Sequence, residues 1–144
     1  MKHQLSTRNL RAGYGKHQIL KGIDLDLPPG QVSIIMGANG CGKSTLLKCL
    51  ARLVRPSQGQ VLLDRRSLGS YPSRQLARHL GLLPQSPLVP EGVTVADLVG
   101  RGRHPWQGWM AGPEKDDFRA IDEAMALMGV AELADRPVDE LSGG

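Results

Sequence analysis

A chain of 144 residues suits one domain or part of a larger one, and a hydrophobic share of 40% is enough to build a core. With only 3% aromatic residues, aliphatic side chains must supply most of the packing. The 18 basic residues exceed the 14 acidic ones for a net charge of +4, but they are scattered, densest at Arg65-Arg66, Arg101 and Arg103, which suits a solvated surface and argues against a nucleic-acid-binding arm.

No apolar run approaches the ~18–20 residues of a membrane-spanning helix. His3, Gln4, Ser6, Thr7 and Arg8 break up any signal-peptide core. A membrane role is therefore expected to be peripheral, through a partner. Cys41 and Cys49 lie too far apart for a disulfide if the segment between them is helical, and no Cys/His cluster suggests zinc. The chain reads as reduced and cytoplasmic.

Residues 3–12 and 18–27 read as two short strands around the turn Gly13-Tyr14-Gly15, with Leu5, Leu10, Ile19, Ile23, Leu25 and Leu27 loosely alternating. After the turn Pro28-Pro29-Gly30, the run Val32-Ser33-Ile34-Ile35-Met36 predicts a strand buried on both faces of a parallel sheet. Glycines follow, then a helix over 43–54 striped by Leu46, Leu47, Leu50, Leu53 and Val54. Next come a strand at 60–64, a short helix at 72–79 and a strand at 80–84. This alternation implies an α/β fold.

Composition changes after Pro84. Thr94 is placed to cap a helix over 94–100, with Asp97 at the capping-box position. Residues 100–112 read as a Gly/Pro-rich loop. An amphipathic helix then starts near Pro113, with Glu114, Asp116 and Asp117 complementing its dipole. Phe118, Ile121, Met125 and Met128 form its apolar stripe, and Gly129 can end it. Residues 1–85 thus read as one part of the molecule and 86–144 as a helical subdomain.

The segment Gly37-Ala38-Asn39-Gly40-Cys41-Gly42-Lys43-Ser44-Thr45 matches the phosphate-binding Walker A pattern in full, between an expected strand and an expected helix. Gly37, Gly40 and Gly42 let the backbone curl closely around phosphates. The following helix aims its positive end at them. Lys43 can reach the β- and γ-phosphates, Ser44 can ligate Mg²⁺, and Thr45 can add a phosphate contact. Cys41 reads as a small tolerated loop residue. The pattern implies ATP and Mg²⁺ as ligands, but kinases, GTPases, motors and transport ATPases all share it.

Three further features narrow the choice. The chain ends Leu141-Ser142-Gly143-Gly144, Gln85 stands at an expected strand end, and Tyr14 lies upstream of the loop. In this order around a Walker A loop they resemble the signature, Q-loop and A-loop of ABC-type ATPases. The resemblance implies a P-loop NTPase (RecA-like) core with an N-terminal antiparallel β arm and an α-helical subdomain. It implies that Tyr14 stacks on adenine and that Gln85 reaches Mg²⁺ and the attacking water, a catalytic role alongside Lys43. It also implies that Leu141, Ser142, Gly143 and Gly144 act on the nucleotide of a second copy in a homodimer. The segment Val93–Val99 with Gly102-Arg103-His104-Pro105, and Leu133-Ala134-Asp135, resembles importers of ferric siderophores, haem and cobalamin. The implied partners are a membrane permease and, through it, a substrate-binding protein, with no nucleic acid. The implied location is the cytoplasmic face of the inner membrane. Trp106 and Trp109 could pack on such a permease or cover a local apolar cluster.

The chain departs from the family pattern by ending at Gly144. No stretch of four or more apolar residues followed by Asp-Glu occurs, and Asp64, after Val61-Leu62-Leu63, is followed by Arg65 and precedes the signature. The Walker B aspartate and catalytic glutamate are missing, as is the C-terminal part of the core. Hydrolysis is therefore expected of the full-length protein, and weak or no turnover of these 144 residues. The alternatives are a translation-type ABC ATPase without a permease, or an inert nucleotide-binding module. His3, His17, His79 and His104 match no catalytic or metal spacing and read as structural or surface residues.

Overall fold

The computed structural model describes residues 3–85, 90–108 and 112–141. The chain divides into two compact units, Met1–Leu82 and Leu83–Gly144. The first is built on a four-stranded antiparallel sheet of order β2-β1-β3-β4. Strands β1 (Leu5–Tyr14) and β2 (His17–Asp26) form a hairpin running from Ser6↔Asp26 to Tyr14↔His17. The turn is Gly15-Lys16, with Gly15 at φ 57°. Tyr14, expected within the turn, is instead the last paired residue of β1, because the left-handed corner falls on Gly15.

Strand β3 (Gln58–Leu63) pairs with the other edge of β1, from Leu5↔Leu63 to Arg11↔Gln58. Gly59 sits at this seam with φ 71°, where a Cβ would run into the carbonyl oxygens of Arg8 and Asn9. Strand β4 (Arg66–Ser67) follows through the two-residue turn Asp64-Arg65.

Helix α1 (Lys43–Leu50) packs on this sheet. Leu46, Cys49 and Leu50 join Leu10, Ala12, Leu20, Val61 and Leu63 in one core with Leu68 and Leu76. Each such leucine contributes about 1.5–3 kcal/mol by burial. The helix is shorter than its apolar stripe predicts. It ends at Leu50 with Ala51 as C-cap, and the next residue, Arg52, takes a left-handed φ of 60°. The Leu53 N–H returns to the Lys48 carbonyl at 2.8 Å and that of Arg52 to Cys49 at 3.0 Å, the bonding of a Schellman end. The guanidinium of Arg52 holds this unusual conformation by donating to the carbonyls of Leu68 (3.1 Å) and Tyr71 (2.7 Å) and to Ser73 Oγ (2.8 Å). Helix α2 (Ser73–Ala77) follows with Pro72 at its N-cap.

Two expected strands are absent. Residues 32–36 and 80–84 carry no strand pairing. Val32, Ile34 and Met36 are 92%, 77% and 84% exposed, and only Ile35 turns to the core. A two-faced apolar strand needs neighbours on both edges. Among the described residues every strand pairing is antiparallel and none involves these runs.

The second unit contains α3 (Val95–Arg101) and α4 (Lys115–Leu127). Thr94 caps α3 as expected: its Oγ1 accepts from the Asp97 N–H at 3.1 Å, and Asp97 accepts from the Thr94 N–H. A second capping box, not anticipated, joins Glu114 and Asp117 at the start of α4. Pro113 therefore precedes the cap and does not open the helix. Gly129, at φ 69°, ends α4 with bonds from Val130 to Met125 and from Gly129 to Ala126. Of the expected stripe only Met125 is buried, while Phe118 and Met128 are exposed.

Candidate nucleotide-binding site

The loop at 37–45 owes its shape to its glycines. Gly40 and Gly42 have φ of 80° and 99°, a region other residues enter at a cost of about 1–2 kcal/mol. The Cys41 N–H closes a turn on the Ala38 carbonyl at 3.4 Å. Gly42 lies against β2, where a Cβ would stand 2.8 Å from Ile19 Cγ2 and 3.1 Å from Leu20 Cδ2. The loop is thus seated on the arm with no room for a side chain at Gly42.

Helix α1 begins at Lys43 with Gly42 as N-cap and no side-chain cap. Its first intrahelical bond is made by Leu46 to Gly42 at 2.8 Å. The amides of Lys43, Ser44 and Thr45 are left without an internal acceptor, as at any helix start. Uncapped amides and the positive helix end make a seat for an anion. Lys43 adds a full charge. Its Nζ donates to the carbonyls of Gly37 (2.8 Å) and Ala38 (2.7 Å) and lies 3.9 Å from Cys41 Sγ, so the ammonium is held over the loop. Ser44 and Cys41 are exposed, and Thr45 is buried behind them.

This donor set fits a polyphosphate. Among the described residues no group of three His, Cys, Asp or Glu side chains could hold a metal ion. Mg²⁺ would be bound here by the Ser44 hydroxyl with phosphate oxygens and water, which is the ion's common mode.

The remaining predicted residues fall in different places. Tyr14 is on the same unit as the loop, half-exposed at the hairpin end. Gln85 is exposed and belongs to the second unit, as does Leu141. Ser142, Gly143 and Gly144 lie outside the described residues, as does Trp109. Trp106 stacks on Arg103, whose guanidinium carbon is 4.6 Å from a ring centroid, and Arg103 Nε donates to the buried Asp117 at 2.7 Å. Sequence reasoning missed that ion pair, because thirteen residues stand between its members. The backbone N–H of Glu114 and then Arg103 hold the Asp117 carboxyl below its ordinary range. Burial pushes the Cys49 thiol up, which keeps it protonated and unreactive. His3 Nδ1 meets Asp64 at 2.6 Å and its ring abuts that of His79, a structural contact at the sheet edge. Among the described residues no helix is long and apolar enough to cross a membrane.

Comparison with known proteins identifies the family. The ABC transporter family profile matches residues 20–144. The chain is 43% identical over 144 residues to the petrobactin import ATP-binding protein FpuD of Bacillus anthracis, covering 100% of this chain and 53% of that protein. It is 43% identical over 141 residues to the ferric enterobactin transport ATP-binding protein FepC of Escherichia coli, covering 98% and 52%. Among solved structures it resembles cbiO1 of Clostridium perfringens, part of the ABC transporter complex cbiONQ, with a TM-score of 0.76 at 28% identity, covering 99% of this chain and 57% of that one. The chain spans about half the length of the curated relatives it matches.

Proposed function

The chain belongs to the ABC transporter family, and we propose that it is the nucleotide-binding portion of an ATPase subunit driving import of an iron–siderophore, haem or cobalamin-type chelate. The observation that carries this reading is the loop at 37–45, with Lys43 held on the Gly37 and Ala38 carbonyls beside a helix start that has no side-chain cap. Relatives named for siderophore import support the substrate class. They give no support to a translation-type role.

In this reading residues 1–85 hold nucleotide and 86–144 form the helical subdomain. Lys43 and the amides of 40–45 neutralise the phosphates, which lowers the cost of bringing a nucleophile to the γ-phosphorus. Bound Mg²⁺ supplies further charge neutralisation between the phosphates. The Ser44 hydroxyl and Gln85 would hold the ion, and Gln85 would also reach the attacking water. Tyr14 stacks on adenine. Leu141, Ser142, Gly143 and Gly144 of a second copy close over the site, again through backbone approach and a helix start. The subunit docks on a permease at the cytoplasmic membrane face, and the permease engages a substrate-binding protein. Without a Walker B aspartate and a general base, residues 1–144 bind nucleotide but turn it over weakly.

The test is ATP binding by calorimetry and phosphate release, on the 144-residue chain and on Lys43→Ala. Loss of charge-assisted bonds should weaken binding by about 10- to 100-fold. Binding indifferent to Lys43→Ala would sink the site assignment. Robust, Lys43-dependent phosphate release would sink the expectation of weak turnover.

A further inference from the structure

The hairpin segregates its charge along its length. At one end the acids are engaged: Asp26 accepts from Arg8 at 2.8 Å, and Asp24 accepts from the Asn9 N–H at 2.7 Å. Towards the turn stand Arg11, Lys16, His17 and Lys21, with no acid of the hairpin among them. Arg11 makes only a long 3.4 Å bond to Asn9, and no side-chain partner of Lys16, His17 or Lys21 occurs among the described residues. Arg11 and Lys21 are direct cross-strand partners. Like charges placed opposite each other on a sheet are destabilising. This arrangement costs the fold stability unless an anion lies between them.

The cations also frame a cleft. Arg11, Lys16 and His17, with Gln18, Ser57 and Gln58, line a depression of about 340 Å³. Its place in the fold separates it from the loop at 37–45. Arg11 alternates with Leu10 and Ala12, and Lys21 follows Leu20, all three buried in the core with α1. Gly42 meets the core-side Leu20. Arg11 and Lys21 therefore alternate away from the core face of the hairpin, and no residue of the loop at 37–45 lines the cleft.

We propose that this cleft is a second phosphate site, taking a pyrophosphate or phosphoester anion between Arg11 and Lys16, with Lys21 adding charge from its place opposite Arg11 on the neighbouring strand, independent of the loop at 37–45. The amides of Gln18 and Gln58 add donors, and an anion of this charge relieves the Arg11–Lys21 repulsion. The chemistry is shared by a soluble phosphate compound and a phospholipid headgroup.

The experiment places the full chain in a Lys43→Ala background, which weakens anion binding at the loop. It measures inorganic pyrophosphate binding by calorimetry, and sedimentation with phosphatidylcholine vesicles containing or lacking phosphatidylglycerol. One saturable site that weakens at least about tenfold in Lys16→Glu/Lys21→Glu and falls steeply with added salt supports the proposal. Pyrophosphate binding assigns a soluble ligand, whereas binding only to phosphatidylglycerol vesicles assigns a headgroup. Neither binding in the Lys43→Ala background, or binding unchanged by the charge reversals, overturns it. Lys21→Glu also serves as a folding control, since the new carboxylate faces Arg11 and should raise Tm by a few degrees while binding is lost.

Discussion

Arg52 and Asp117 show how single side chains decide local structure. Arg52 holds a left-handed backbone that costs about 1–2 kcal/mol for a residue with a Cβ, offset by three hydrogen bonds from its guanidinium. Arg52→Ala keeps the backbone cost and loses the bonds, and is expected to destabilise by about 2–4 kcal/mol in urea denaturation. Arg52→Gly removes the backbone cost and should lie between the alanine variant and the natural chain. Asp117 is depressed mainly by the Glu114 N–H and secondarily by Arg103. A carboxyl whose folded pKa lies below its unfolded value stabilises above the ordinary carboxylate range and loses that contribution as pH falls through the folded pKa. The stability difference between the natural chain and Asp117→Asn is therefore expected to be constant above pH ~5 and to shrink below pH ~4. Equal differences at pH 3 and pH 7 would refute the assignment.

Among elements, the β3–β4 hairpin carries the clearest local conflict. Asp64 and Arg65 take φ of 51° and 64°, the geometry of a two-residue turn in which both positions are left-handed. Aspartate suits the first position, and here it is also held by the Gln4 N–H and His3. Arginine has no such advantage at the second. Arg65→Gly is expected to stabilise by about 0.5–1 kcal/mol, read as a higher denaturation midpoint with unchanged slope.

At the scale of the molecule, the apolar run at 32–36 is the unusual feature. Three of its side chains are largely exposed, and its backbone pairs with no strand among the described residues. Hydrogen exchange of the 144-residue chain should find amides 32–36 unprotected, while those of Leu10 and Ala12 at the core of β1 exchange slowly. Slow exchange across 32–36 in the monomer would show a pairing that the structure lacks.

Much was legible without coordinates. The P-loop pattern and its strained glycines, the Thr94–Asp97 cap, the Gly129 stop and the paired strands before the loop all depend on residues within a few positions of one another. Local backbone sterics and hydrogen bonding determine such features in any context. What tertiary structure decided involves separated partners. Helix α1 stops short of Arg52, although Leu53 and Val54 continue its stripe, because carbonyls some twenty residues on receive the Arg52 guanidinium. Asp117 became a buried ion pair because Arg103 returns to it across a loop. Apolar patterning alone marks 32–36 and 80–84 as strands, but a strand exists only when another backbone completes its hydrogen bonds, and that condition lies outside the run itself.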